Sequence, residues 1–179
     1  MRFPTTEQEI NESGPVVHSP GFASSGETSQ ARGVLAEADF QPLDHKGEVA
    51  RYQTSLHGDE CSLLEEIESV LDDVRQAIRP SGTVDIELYA FKYLPGQGVP
   101  QHRDKRRHIA SMMVYLGDYQ GGGFTYEAEG EQKHLQVDSG DALLLLNETS
   151  SGEWRNPLHK VEEVQTGQRM VLSGSLVRE

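Results

Sequence analysis

The sequence predicts one mainly-β domain, a sandwich, jelly roll or barrel preceded by a single helix, and three observations carry that reading. Seven short runs of β-branched, aromatic and aliphatic residues succeed one another between residues 84 and 177, at the roughly 8 to 12 residue spacing of all-β architectures. Turn chemistry separates them, in "PGQG", "GDYQGGG", "EGEQ", "SGD", "TSSGEWRNP" and "QTGQ". Upstream of them, one segment at about 59–79 sets its apolar residues at helical spacing.

Taken in order, residues 1–32 are rich in Ser, Gly, Thr, Glu and Pro, lack periodicity and read as a flexible N-terminal segment without a core. Residues 33–179 form the single domain. The helix at about 59–79 carries Leu63, Leu64, Ile67, Val70, Leu71, Val74 and Ile78 on one face. Asp59 or Ser62 is placed to cap it, and "RPSG" ends it. Its polar face offers only solvated Glu and Asp, so it is read as a packing helix. The β-rich core, about 84–177, then holds strands at 84–94, 108–117, 123–128, 133–138, 141–147, 159–164 and 169–177.

Composition narrows the function. A net charge of −13 disfavours grip on a phosphate backbone, so no nucleic-acid partner is expected. The longest apolar run, "ALLLL" at 142–146, is strand-sized and far short of a membrane span. "MRFPTTEQEINESGPVV" shows neither a secretory signal nor a transit peptide, so the simplest address is cytoplasmic. Cys61 stands alone, which excludes an internal disulfide and a cysteine-rich zinc site.

The chemistry concentrates in "PQHRDKRRH", 100–108. In extended chain His102 and Asp104 point to the same side, with Arg103 on the other. His159 opens a later strand and can complete a set of two histidines and a carboxylate, the facial triad of non-heme Fe(II) oxygenases, which leaves open coordination positions. Arg169 begins a strand whose alternation sets Arg169, Val171, Ser173 and Ser175 on one face and Met170, Leu172 and Leu176 on the other. A guanidinium on an otherwise uncharged inward face requires an anion, and its planar fork suits a carboxylate. The alternative reading of HRD as a kinase catalytic loop fails, because Ile109 stands where an asparagine is needed. Lys105, Arg106 and Arg107 are either a solvated turn or a handle for a substrate anion. His108 stands close enough to line a substrate pocket, and Trp154 and Asn156 are placed to form its mouth.

In combination, "YLPGQGVPQHRD", "MMVYLGDYQGGGFTY", "GDALLLLN" and "RNPLHKVEEVQTGQR" resemble the iron(II)/2-oxoglutarate-dependent dioxygenases, in their prolyl-4-hydroxylase-like branch. The resemblance spans about residues 84–177 and implies a double-stranded β-helix, the jelly-roll or cupin-like fold. It implies Fe(II) held by His102, Asp104 and His159, with Arg169 on the distal carboxylate of 2-oxoglutarate. Tyr93 matches a pocket-lining tyrosine of the branch, and Tyr115 is a second candidate hydroxyl. Val171 stands where some members have a serine, which leaves Ser173 as a candidate second partner for the carboxylate. The implied activity is hydroxylation of an unactivated C–H bond in an amino acid, a natural-product precursor or a prolyl side chain. O2 and 2-oxoglutarate are consumed, succinate and CO2 are released, and ascorbate is an implied accessory. Two alternatives stand beside it: a cupin-like iron dioxygenase without 2-oxoglutarate, and a non-catalytic jelly-roll binding module.

Overall fold

The computed structural model describes residues 3–45 and 48–179. Its elements in chain order are α1 (Glu7–Glu12), β1 (Val16–Ser19), α2 (Ser25–Ala36), β2 (Gln41–His45), β3 (Glu48–Ser55) and α3 (Ser62–Ile78). There follow β4 (Val84–Tyr93), β5 (Val99–His102), β6 (His108–Leu116), β7 (Tyr119–Gly121), β8 (Phe124–Ala128) and β9 (Glu131–Leu135). The chain closes with β10 (Ala142–Leu146), β11 (His159–Val161), β12 (Val164–Gly167) and β13 (Arg169–Arg178).

The strands build a seven-stranded antiparallel sheet in the order β1-β10-β6-β13-β4-β3-β2, a four-stranded sheet β5-β11-β8-β9 and a small pair β12-β7. This is the expected mainly-β jelly roll. Period-two alternation divides the large sheet into two faces. Met112, Val114, Leu116, Leu144, Leu172 and Leu176 face one core, beneath α3. Met113, Tyr115, Leu143, Leu145 and Val171 face the other, with Phe124, Tyr126 and Val161 of the smaller sheet. β10 is buried on both faces, which is why "ALLLL" has no alternation to read.

α3 buries Leu63, Leu64, Ile67, Leu71, Val74, Ala77 and Ile78, each larger aliphatic contributing roughly 1.5–3 kcal/mol by its removal from water. It rides so close to β13 that a Cβ at Gly174 would stand 2.5 Å from Ile67 Cγ2 and 2.7 Å from Leu71 Cδ1. Its N-cap is Cys61, without a side-chain hydrogen bond, rather than Asp59 or Ser62. Asp59 lies in a short 3-10 turn, Gly58–Glu60, and Ser62 is already helical, its hydroxyl donating to Gln30.

The N-terminal segment corrects the expectation of a coreless tail. Phe3, Ile10, Ala23 and Ala31 are buried in the core beneath α3. β1 pairs with β10, Val16 opposite Leu145. Capping boxes at Thr6/Glu9 and Ser24/Glu27 start α1 and α2. Sparse apolar residues hid these elements, whereas the S/T-x-x-E spacing announces them. Other boundaries also move. β2 and β3 form a hairpin where no strand was expected, β7 occupies a stretch read as a turn, and β5 makes a strand of the extended chain that leads to His102. β9 begins at Glu131, and β12 carries the "QTG" read as a turn. These short strands are mostly polar because their outer faces meet water, so hydrophobic patterning understates them. Among the described residues no helix is long and apolar enough to cross a membrane.

Candidate active site

Strand register assembles the site. β11 pairs with both β5 and β8, which sets His159 opposite His102 on one side and opposite Tyr126 on the other. β5 ends at His102, and the chain beyond it carries Asp104 to the same centre. One ligand atom from each of His102, Asp104 and His159 lies within 4.8 Å of the others, and among the described residues this is the one such group. His102 Nε2 and His159 Nε2 stand 3.8 and 3.7 Å from Asp104 Oδ1.

Both imidazoles are oriented alike. His102 Nδ1 lies 2.8 Å from the Pro100 carbonyl and His159 Nδ1 lies 2.9 Å from that of Pro157. A carbonyl can only accept, so each Nδ1 donates and each Nε2 is the ring nitrogen left facing the centre. Burial pushes the His159 imidazole below its ordinary pKa, against the opposing pull of Asp104 and the Pro157 carbonyl, which favours the neutral ligand form. Phe124 stacks on its ring at 5.4 Å.

Asp104 is held from two sides by residues the spacing argument did not assign. Asn147 Nδ2 donates to its Oδ2 at 3.1 Å and also to the His108 carbonyl. Asn156 clamps its backbone, accepting from the Asp104 N–H at 3.1 Å and donating to its carbonyl at 2.9 Å. Asn156 thus positions a candidate ligand from beneath rather than forming a mouth. A polar residue ending the buried run "ALLLL" was the available signal for Asn147.

Arg169 is fully buried beside this centre, in the same cavity of about 490 Å3. Its register partner on β4 is Tyr93, whose ring centroid lies 4.3 Å from the guanidinium carbon, while the rings of Tyr115 and Tyr119 lie at 5.9 Å. One guanidinium nitrogen donates to the Gly122 carbonyl, and Nε and the other terminal nitrogen have no partner among the described residues. A buried cation with unpaired N–H groups is costly unless an anion completes it. Gly122, expected only as turn chemistry, makes room for it, since a Cβ there would meet the guanidinium and the residue sits at φ +70°.

Tyr115 faces inward and is buried, its hydroxyl partnered among the described residues by the weak acceptor Met113 Sδ at 3.9 Å. Burial raises its pKa, so it remains a phenol able to donate. Tyr93 accepts from Arg51 at 3.2 Å. Ser173 lines the cavity, as does Ser175, whose hydroxyl is 3.0 Å from that of Ser111.

The remaining candidates divide. His108 and Arg107 line the cavity, and Arg107 lies 3.5 Å from Glu87. Arg106 is exposed and does not line it. Trp154 is displaced from the expected mouth: it bridges to Glu148 and lines a separate cleft with Tyr126, Lys133 and Arg155. Arg103, expected to point away, lines the cavity and donates to the Asn156 carbonyl, because strand alternation ends with β5 at His102. Arg51 of β3 was missed altogether, since its strand was not recognised.

No sequence-family profile matches the chain, and no curated protein matches it in sequence. Solved structures do match in fold. A prolyl-4-hydroxylase from Pseudomonas putida is 17% identical with a TM-score of 0.75, over 97% of each chain. A prolyl hydroxylase from Trichoplax adhaerens, in complex with a peptide fragment of the hypoxia inducible factor oxygen degradation domain, is 14% identical with a TM-score of 0.73, over 97% of this chain and 87% of that one. HygX from Streptomyces hygroscopicus, with nickel and 2-oxoglutarate bound, is 15% identical with a TM-score of 0.67, over 96% and 86%. At these identities the likeness establishes the shared fold.

Proposed function

We propose that this chain is an Fe(II)/2-oxoglutarate-dependent dioxygenase that hydroxylates an unactivated C–H bond of a small molecule or a prolyl side chain. One observation carries the reading: the three converging ligand atoms share a cavity with a fully buried guanidinium whose free N–H groups await a carboxylate. The residues present fit both groups. His102, Asp104 and His159 would hold iron, with oxygen and nitrogen donors suited to it and room for further ligands. Arg169 would pair the distal carboxylate of 2-oxoglutarate.

When bound, iron and 2-oxoglutarate supply the oxidising power that converts O2 and a C–H bond to a hydroxyl, with succinate and CO2 as co-products. The rest is the work of side chains. Asn147 and Asn156 hold Asp104 in place. Tyr115 would offer its phenol to the carboxylate, and Tyr93 packs under Arg169 and fixes its plane. Phe124, Leu145 and Val171 line the cavity with apolar surface and limit water around the pair. The fold-related structures bind a peptide in one case and hygromycin B in another, which supports either substrate size.

The test is anaerobic addition of 2-oxoglutarate to Fe(II)-loaded protein, followed by exposure to O2 with ascorbate present. Chelation gives a visible charge-transfer absorption, and O2 then releases succinate, slowly even without the primary substrate. His102→Ala should lose both signals. Iron-dependent succinate release at the parental level by His102→Ala would eliminate the triad, and O2 consumption independent of 2-oxoglutarate would favour the cupin-like alternative.

A further inference from the structure

The cavity carries more positive charge than the proposed cofactor and co-substrate use. Arg51, Arg103, Lys105, Arg107 and Arg169 line it, and among the described residues the one carboxylate on its wall is Asp104. A divalent metal, Asp104, Arg169 and the two carboxylates of 2-oxoglutarate balance one another. Four cations remain. Among the described residues only Arg107 of these four has a carboxylate partner, Glu87 at 3.5 Å. Arg103, Lys105 and Arg107 are exposed at the cavity rim, whereas Arg51 is half-buried.

Arg51 is the most informative of the four. Half-buried on β3, it lies 4.1 Å over the Phe91 ring and donates to the Tyr93 hydroxyl at 3.2 Å. Two neutral aromatic partners hold the guanidinium in place and leave its charge unanswered. Arg103 is likewise held by a neutral acceptor, the Asn156 carbonyl. Lys105 and Arg107 follow in the same loop, beyond Asp104. The net charge of −13 repels long polyanions, so the ligand these cations select is small.

We propose, resting on the dioxygenase reading above, that the primary substrate is a small organic anion bearing a carboxylate or phosphate group, held by Arg51 together with the cations of the 103–107 loop. Arg51 and the loop approach the cavity from different elements, Arg51 from β3 and the loop cations from the segment that carries Asp104. The substrate's reactive carbon is thereby oriented relative to the His102, Asp104, His159 centre. Arg106 takes no part, because it does not line the cavity.

The experiment loads the full chain with manganese and saturating 2-oxoglutarate, then titrates phenyl phosphate, benzoate and neutral benzyl alcohol, reading paramagnetic relaxation of each probe's ring protons. At least one anion should show saturable relaxation with a Kd about tenfold or more below that of benzyl alcohol. The preference should fall about tenfold in Arg51→Gln and in the Lys105→Gln/Arg107→Gln double variant. The double variant should keep its 2-oxoglutarate affinity, which separates substrate binding from co-substrate binding. The tighter anion identifies phosphate or carboxylate as the recognised group. Equal binding of anions and alcohol, or a preference that survives both variants, overturns the proposal. Failure of the protein to retain manganese, or retention undiminished in His102→Ala, would instead remove the metal site on which it rests.

Discussion

Arg169 shows what a single buried residue can require. Its guanidinium is stripped of water and given one carbonyl and three aromatic faces, so its free N–H groups gain most from a carboxylate. Arg169→Met keeps much of the volume and removes the charge; it should weaken 2-oxoglutarate binding by about 2–5 kcal/mol, the cost of truncating one side of a buried charge pair. Calorimetric titration of the metal-loaded variant checks this, with circular dichroism confirming the fold. His108 yields a pH prediction. Burial lowers its pKa from the ordinary 6.5, outweighing the opposite pull of Asp104 and Glu87, while Arg107 and Lys105 act in the same direction as burial. The folded state therefore resists a proton that the unfolded chain accepts, and the sign follows: its contribution is full above 6.5 and is lost as pH falls from there toward the folded value. Denaturant unfolding of the metal-free protein at about pH 7.5 and about pH 5.5 should show a smaller pH effect in His108→Gln than in the parent.

At the scale of the element, β13 does two jobs at once. Its even-numbered residues Leu172 and Leu176 meet α3, while odd-numbered Arg169, Val171, Ser173 and Ser175 line the cavity. Gly174 lets helix and strand approach. Gly174→Ala would force a methyl against Ile67, Leu71 and Leu88 and should destabilise the fold by about 1–3 kcal/mol, read as a lower denaturant midpoint with an unchanged slope. The N-terminal segment is tied in by an element-scale contact too. Arg155 donates to the carbonyls of Ile10, Asn11 and Ser13 around the end of α1, linking that helix to the loop that leads to His159.

Across the whole molecule, the site joins two sheets. His102 and His159 come from the four-stranded sheet, and Arg169 and Tyr115 from the seven-stranded one. A metal held by the first and a co-substrate spanning to the second should act as a cross-brace. At about a hundredfold excess over Kd, a ligand confined to the folded state adds about 2.7 kcal/mol, so manganese with 2-oxoglutarate should raise Tm by several degrees. His159→Ala should abolish that rise in a thermal melt.

Much of this was determined by the sequence itself. The His102/Asp104 pair, the two-faced alternation from Arg169 and the apolar face of α3 obey local periods of two and 3.6, which need no knowledge of the fold. What local periods cannot carry is adjacency between distant strands. Arg51 reaches the cavity because β3 lies beside β4, Asn147 and Asn156 reach Asp104 from the connection between β10 and β11, and Gly122 meets Arg169 from the turn after β7. Trp154, close in sequence to His159, was carried into a different cleft for the same reason. Sequence proximity constrains a chain only over a few residues. Strand order and register decided which cations, amides and glycines surround the centre, because those contacts exist only once the sheets have closed.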